Sequence, residues 1–327
     1  MKSSNQRNFI DKESIFGPDN YKPLPVVLSR AKGVWVWDVD DNKYLDMMSA
    51  YSAVSHGHSH PELLKVLHEQ SSQLALTSRA FYTDTLGPYL ETITSLSNFD
   101  MALPMNSGAE AVETAIKAAR RWAYLSKKIE SNKAEIIVAD GNFHGRTTTI
   151  ISFSSDANSK NDFGPHTPGF VSVEFGSAKA IEQAINENTA AVLIEPIQGE
   201  GGIIVPPENF LPEVREICTK NNVLMILDEI QSGLGRTGKM FAFQHSNIQP
   251  DGLILGKALG GGFMPVSCFL ASKEVMQWLT PGSHGSTFGG NPLAAAIGKK
   301  SLELLEEENL IENSRVLGDF FKDALIN

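Results

Sequence analysis

Residues 223–238, VLMILDEIQSGLGRTG, carry an unbroken apolar run straight into paired acids, Asp228 and Glu229. A strand that is apolar at every position is covered on both faces, as strands of parallel sheets are. The signature recurs on either side, in EIIVAD (135–140), AAVLIEP (190–196), DGLILGK (251–257) and PVSCFLAS (265–272), with helix-like stretches at 178–187 and 211–221 between. Strands alternating with helices predict an α/β chain: a mostly parallel mixed sheet covered by helices. A carboxylate at the end of such a buried strand is costly unless something positive meets it, so Asp228 needs a cationic partner.

Further out, GVWVWDVDDNKYLDM (33–47) alternates and then turns at Asp40-Asp41-Asn42, predicting a β-hairpin. After His60-Pro61 a helix carries Leu63, Leu64 and Leu67 on one face. SGAEAVETAIKAARRWAYL (107–125) predicts a long Ala-rich helix with Ser107 as N-cap and Glu110 at capping-box spacing. The last segment, 291–327, reads as helix, break, helix.

With 327 residues and 42% hydrophobic composition, the chain has enough apolar surface for a large core. Its stretches fall short of the ~18 consecutive apolar residues of a membrane span. MKSSNQRNFIDKES at the N-terminus has no apolar h-region and carries acids, which predicts neither secretion nor mitochondrial import. Two cysteines, Cys218 and Cys268, argue against a disulfide scaffold and fit a reducing cytoplasm. The net charge of −10 is spread along the chain without a basic stripe, which disfavours nucleic acid as a partner.

Three stretches compete as ligand sites. GLGRTGKM (233–240) nearly spells a phosphate loop, but Met240 replaces the magnesium-holding hydroxyl and no strand feeds directly into Gly233. HGHSHP (56–61) places three histidines at alternate positions; without a cysteine or carboxylate nearby it reads as a turn with solvated imidazoles, and no metal is expected. Lys257 differs, because it follows the apolar LILG and precedes ALGGG. In such confinement a lysine amine loses proton affinity and becomes nucleophilic. If their strands are parallel, Asp228 and Lys257 emerge at the same carboxyl edge, where open α/β sheets bind ligands. A strand-end lysine and carboxylate suit pyridoxal phosphate: the lysine holds the aldehyde, and the acid keeps the pyridine nitrogen protonated. MNSGAEA (105–111), opening the long helix, offers free amides to a phosphate. GNFHGRT (141–147) offers Phe143 for stacking and Arg146 as a carboxylate clamp.

LDEIQSGLGRTGKM (227–240), GKALGGG (256–262) and HGSTFGGNPLA (284–294) together resemble the class III, fold type I pyridoxal-phosphate aminotransferases over nearly the whole chain. The resemblance implies that Lys257 binds the cofactor covalently, Asp228 pairs with the ring nitrogen, Gln231 contacts the ring hydroxyl and Phe143 stacks on the ring. It implies that the backbone of Gly108 and Ala109 holds the phosphate, with Ser286 and Thr287 reaching the phosphate of a neighbouring subunit in a homodimer. NYKPLPVVLSRAKGVWVWDVDD (20–41), SAYSAVSHGHSHP (49–61) and LTSRAFY (76–82) bring it nearest to the ornithine aminotransferase branch; acetylornithine aminotransferases are the alternative. In that branch Tyr21 and Arg146 grip the α-amino-acid end of ornithine, Tyr51 lines the pocket, and Glu200 gates an arginine that binds 2-oxoglutarate. The implied division is 1–51 as the N-terminal segment of a small domain, 52–297 as the cofactor-binding domain and 298–327 as the start of a C-terminal small domain. Family members continue past the position of Asn327, so the chain reads as truncated, with the stripe Leu302, Leu305, Leu310, Leu317, Phe320, Phe321 and Leu325 partly uncovered. A remnant that only binds cofactor or dimerises is the non-enzymatic alternative.

Overall fold

A computed structural model describes residues 4–326; Met1–Ser3, within the stretch expected to lack a leader, and Asn327, the last residue of the expected C-terminal segment, lie outside it. The strands in chain order are β1 (Leu28–Lys32), β2 (Trp35–Asp38), β3 (Lys43–Leu45), β4 (Met101–Met105), β5 (Glu135–Ala139), β6 (Phe170–Val173), β7 (Thr189–Ile194), β8 (Leu224–Asp228), β9 (Gly252–Leu255) and β10 (Ser267–Ala271). The first three form a small antiparallel sheet, and β2–β3 is the hairpin expected at 33–47. The other seven form one sheet in the order β4-β10-β9-β8-β7-β5-β6. Strands β6, β5, β7, β8 and β9 are parallel, while β10 runs antiparallel between β9 and β4.

The decisive apolar run is β8, at the centre of this sheet, and every one of its residues is buried. Successive side chains of a strand point to opposite faces. Met225 and Leu227 accordingly join one core with Phe210, Phe241, Leu253 and Tyr89. Leu224 and Ile226 join the other, under the helix Gly108–Leu125. That helix buries Ala111, Ala115, Ala118, Ala119 and Ala123, small side chains that bring its backbone close to the sheet. Each fully buried Leu, Ile or Phe contributes roughly 1.5–3 kcal/mol of transfer free energy.

The stripe at the C-terminal end is part buried and part exposed, as expected. Leu302 and Leu305 are buried in the core, because the helix Pro292–Glu307 packs them against the sheet's covering layer. The exposed part of the stripe is confined to Leu317, Phe320, Phe321 and Leu325 on the helix Leu310–Ile326. One expectation needs correction: the histidines of 56–61 are not solvated, since His56 and His60 are buried and all three find separate partners, His56 the Ser301 carbonyl, His58 the Asp46 carboxylate and His60 the Glu308 carboxylate. Among the described residues no cluster of His, Cys, Asp or Glu is placed to hold a metal ion, and no helix is long and apolar enough to cross a membrane.

Candidate active site

Because β8 and β9 are parallel neighbours, with Asp228 opposite Ile254, Asp228 and Lys257 leave the sheet at the same edge. Lys257 sits just past β9 in a tight turn, at φ +46°, a left-handed conformation that side chains adopt at a cost. The positive partner that Asp228 needs within the polypeptide is His144. Its Nδ1 donates to Asp228 Oδ2 at 2.6 Å, while Ile230 N donates to Oδ1 at 3.0 Å. The His144 ring is fully buried and its Nε2 has no hydrogen-bond partner among the described residues. Burial disfavours its charge, but the hydrogen bond it donates to Asp228 and the charges of Asp228 and Glu195 outweigh this and hold its pKa above the ordinary value.

Glu195 is the second buried acid here, accepting from Phe143 N at 3.1 Å and Gly199 N at 3.4 Å. Burial pushes its carboxyl up to about 7, with His144 opposing and Asp228 adding to the shift. Lys257 is moved the other way: burial lowers its proton affinity, against the pull of Glu200, Asp228 and Glu195. A half-buried amine with reduced basicity is poised to act as a nucleophile.

The remaining wall comes from the helix Gly108–Leu125. Its capping box is formed as expected, with Glu110 N donating to Ser107 Oγ at 3.3 Å and Ser107 N to Glu110 Oε2 at 2.8 Å. Gly108 and Ala109 are the first two helical residues, whose amides have no intrahelical carbonyl to meet. Gly108 is closely packed, since a Cβ there would lie 2.8 Å from Ile230 Cδ1 and push the end of that side chain aside. Gly108, Ala109, Phe143, Asp228, Gln231 and Lys257 line one cavity of about 180 Å³. Its donors and acceptors fit pyridoxal phosphate: paired free amides at a helix N-terminus for the phosphate, an aromatic ring beside the cavity, a buried carboxylate for a pyridinium and an amine of lowered basicity.

The expected substrate residues are placed less uniformly. Gln231 Nε2 donates to Glu200 Oε1 at 3.2 Å and reaches the Tyr51 carbonyl at 3.5 Å. Gly199 makes this possible, because a Cβ there would fall 1.5 Å from Gln231 Oε1. Tyr51 itself is exposed, in a run Ser49–Ser52 whose four residues all have positive φ (+50°, +46°, +55° and +75°). Strain of this kind, of order 1–3 kcal/mol per residue, gathers at functional sites. Arg146 lies over the Phe143 ring, 5.5 Å from its centroid and 3.8 Å from Asp156, and lines an open groove together with Tyr21. Ser286 and Thr287 lie outside the cavity of their own chain; Ser286 Oγ accepts from Asn106 Nδ2 at 2.9 Å, and both residues border a shallow pocket with Ser78 and Arg79.

Sequence reasoning passed over His144, Glu195 and Glu229. His144 stands beside Phe143 in GNFHGRT, and only the fold brings it to Asp228. Glu229 is wholly buried and accepts from Ala242 N at 2.6 Å and Phe243 N at 2.8 Å; burial pushes its carboxyl up to about 7. Asp228 therefore serves the cavity while its neighbour pins the next turn. The near-match to a phosphate loop is settled by packing, since Gly235 and Gly238, at φ +86° and +81°, are pressed against Ile311 and Arg315.

A strand-end lysine beside a strand-end carboxylate, under a helix N-terminus on this sheet, defines a pyridoxal-phosphate-dependent transferase of fold type I. The model of the aminotransferase class-III family matches residues 16–327, and the chain belongs to that family. Ornithine aminotransferase 2 of Staphylococcus aureus is 57% identical over 316 residues, covering 97% of this chain and 80% of the relative. Among solved structures, the ornithine aminotransferase of Toxoplasma gondii superposes with a TM-score of 0.97 at 42% identity, over 99% of this chain and 77% of that one. The acetylornithine aminotransferase of Elizabethkingia anophelis superposes with a TM-score of 0.89 at 49% identity, over 99% and 79% respectively.

Proposed function

We propose that the chain is an ornithine δ-aminotransferase. It passes the δ-amino group of L-ornithine to 2-oxoglutarate, giving glutamate 5-semialdehyde and L-glutamate in two alternating half-reactions. Its relatives by name support this, and the observation that carries it is the Tyr21–Arg146 groove beside the Lys257–Asp228 cavity. Pyridoxal phosphate, when bound, supplies the electron sink that lets an amino group be exchanged for a carbonyl.

In this reading Lys257 holds the cofactor and moves the proton at the substrate carbon bearing the amine. Its lowered basicity suits that work near neutral pH. Asp228, held by His144, keeps a proton on the ring nitrogen. When the cofactor is bound, Phe143 would orient the ring by stacking, Gln231 would contact its hydroxyl, and the amides of Gly108 and Ala109 would hold the phosphate. Tyr21 and Arg146 grip the α-amino acid end, which leaves the δ-amine to reach Lys257, and Tyr51 closes that side. Glu200, anchored by Gln231, is the carboxylate that yields when the 2-oxoglutarate half-reaction begins. Ser286 and Thr287 complete the phosphate site of a second copy, making the working unit a homodimer. Residues 1–51 and 298–327 belong to the smaller domain and 52–297 to the cofactor domain. Two free buried thiols, Cys218 and Cys268, fit a cytoplasmic setting.

Purified protein given ornithine and 2-oxoglutarate should form pyrroline-5-carboxylate, trapped with o-aminobenzaldehyde. Borohydride should fix the cofactor onto Lys257, and Lys257→Ala should abolish labelling and turnover. Tyr21→Phe should weaken ornithine more than N-acetylornithine, since only the free α-amine needs that grip. A marked preference for N-acetylornithine in the unmodified protein would transfer the assignment to the acetylornithine branch.

A further inference from the structure

The loop that carries Ser286 and Thr287 is tied to the helix Gly108–Leu125 through one imidazole. His284 Nε2 lies 2.8 Å from Thr114 Oγ1, and His284 Nδ1 lies 2.8 Å from Lys117 Nζ. Thr114 gives its own hydroxyl proton to the Glu110 carbonyl at 2.7 Å, so its oxygen must accept from the ring. The Lys117 ammonium can only donate, so Nδ1 must accept. Both bonds together demand a neutral ring with its proton on Nε2. Lys117 Nζ also reaches the Ser283 carbonyl at 3.4 Å, which makes the ring and the ammonium a two-point clasp on the loop.

We infer that neutral His284 is a positioning residue that latches the loop Ser283–Thr287 to the helix, and that protonating it releases the loop. A proton on Nδ1 would set two donors, one already cationic, against each other at hydrogen-bond distance. The charged groups facing the ring both come from that helix: Lys117, which disfavours the protonated ring, and Glu110, which favours it more weakly. Burial is the largest cause and acts in the same direction as Lys117, so the latched pKa lies below the ordinary 6.5. The sign follows from linkage. The released loop takes up the proton more readily, so the latch is fully engaged above the ordinary value and weakens as pH falls toward the depressed one. That Ser286 and Thr287 serve a cofactor phosphate rests on the proposed function; the latch does not.

The test is hydrogen exchange of the holoenzyme, followed over residues 281–288 and corrected for intrinsic rates, at about pH 7.5 and about pH 5. Protection of this segment should fall roughly tenfold at the lower pH, as for loss of a charge-assisted hydrogen bond. His284→Gln, which offers an acceptor and a donor but does not titrate, should keep its protection at both pH values. Lys117→Met removes the repulsion and should also abolish the pH dependence. Unchanged protection in the parent, or an equal fall in His284→Gln, would overturn the latch. Cofactor retention measured on the same samples reports separately on the phosphate: lost protection with undiminished retention supports the latch and removes Ser286 and Thr287 from the cofactor site.

Discussion

Replacing His144 by alanine isolates the energetics of the buried pair at the head of the cavity. The ring is fully buried, Asp228 is nearly so, and their contact is 2.6 Å. Removing one member of a buried, hydrogen-bonded charge pair costs about 3–5 kcal/mol, because the other charge is stranded. His144→Ala should therefore lower the stability of the cofactor-free protein by at least about 3 kcal/mol, the cavity left by the fully buried ring adding to the cost of the stranded charge. The assay is urea unfolding of stripped protein, run as a double-mutant cycle with Asp228→Asn. In the double variant no charge is left unpaired, so the two losses should fall short of additivity by roughly 1.5–3 kcal/mol. Additive losses, or a loss below about 1 kcal/mol for His144→Ala, would refute the view that Asp228 depends on this imidazole.

Asp228→Asn should still bind cofactor yet lose at least ~3 kcal/mol of transition-state stabilisation in kcat/KM, as for removal of a preorganised charge partner; near-normal turnover would dissociate this acid from the ring nitrogen. Glu229 has a pKa raised to about 7, so the folded protein binds more protons than the unfolded chain between the ordinary 4.5 and that value. Its contribution is present below the ordinary value and lost as pH rises through the folded one, up to ~3 kcal/mol in all, and Glu229→Gln should flatten that part of the stability–pH curve measured by chemical unfolding. Gly199→Ala should displace only the end of the Gln231 side chain, lowering cofactor affinity roughly tenfold by equilibrium titration with little change in unfolding midpoint; unaltered affinity would mean Gln231 holds nothing of consequence.

The order of the α/β elements was readable because a buried parallel strand and an amphipathic helix leave different periodicities. The strands that were not read failed for local reasons. In β4, MALPM, Pro104 argues against a sheet interior, and the strand is tolerated because it lies at an edge. In β1, LSRAK is polar and mostly exposed, so alternation gives no signal. Within the site, Lys257, Asp228 and the Ser107 cap announce themselves through neighbours in sequence. His144 does not, since its partner is 84 residues away. The Ser49–Ser52 run is invisible for another reason: nothing in Ser-Ala-Tyr-Ser favours positive φ, so its left-handed backbone leaves no mark in the residue types.

The reversed strand β10 also sets the time at which the site can exist. Among the described residues β4 pairs in the large sheet with β10 alone, through pairs such as Met105 with Ser267, and β4 leads directly into the helix that offers Gly108 and Ala109. A chain emerging from the ribosome makes its phosphate-binding helix early and can pack it on β7, β8 and β9, but β4, which leads into that helix, waits for its partner until residues 267–271 follow, with Lys257 already out. Closing so long a loop is slow, and it leaves β4 without its sheet partner meanwhile. The lead-in to Gly108 and Ala109 is thereby fixed late, and a nascent chain halted before β10 has a reactive lysine beside a loosely held phosphate cradle.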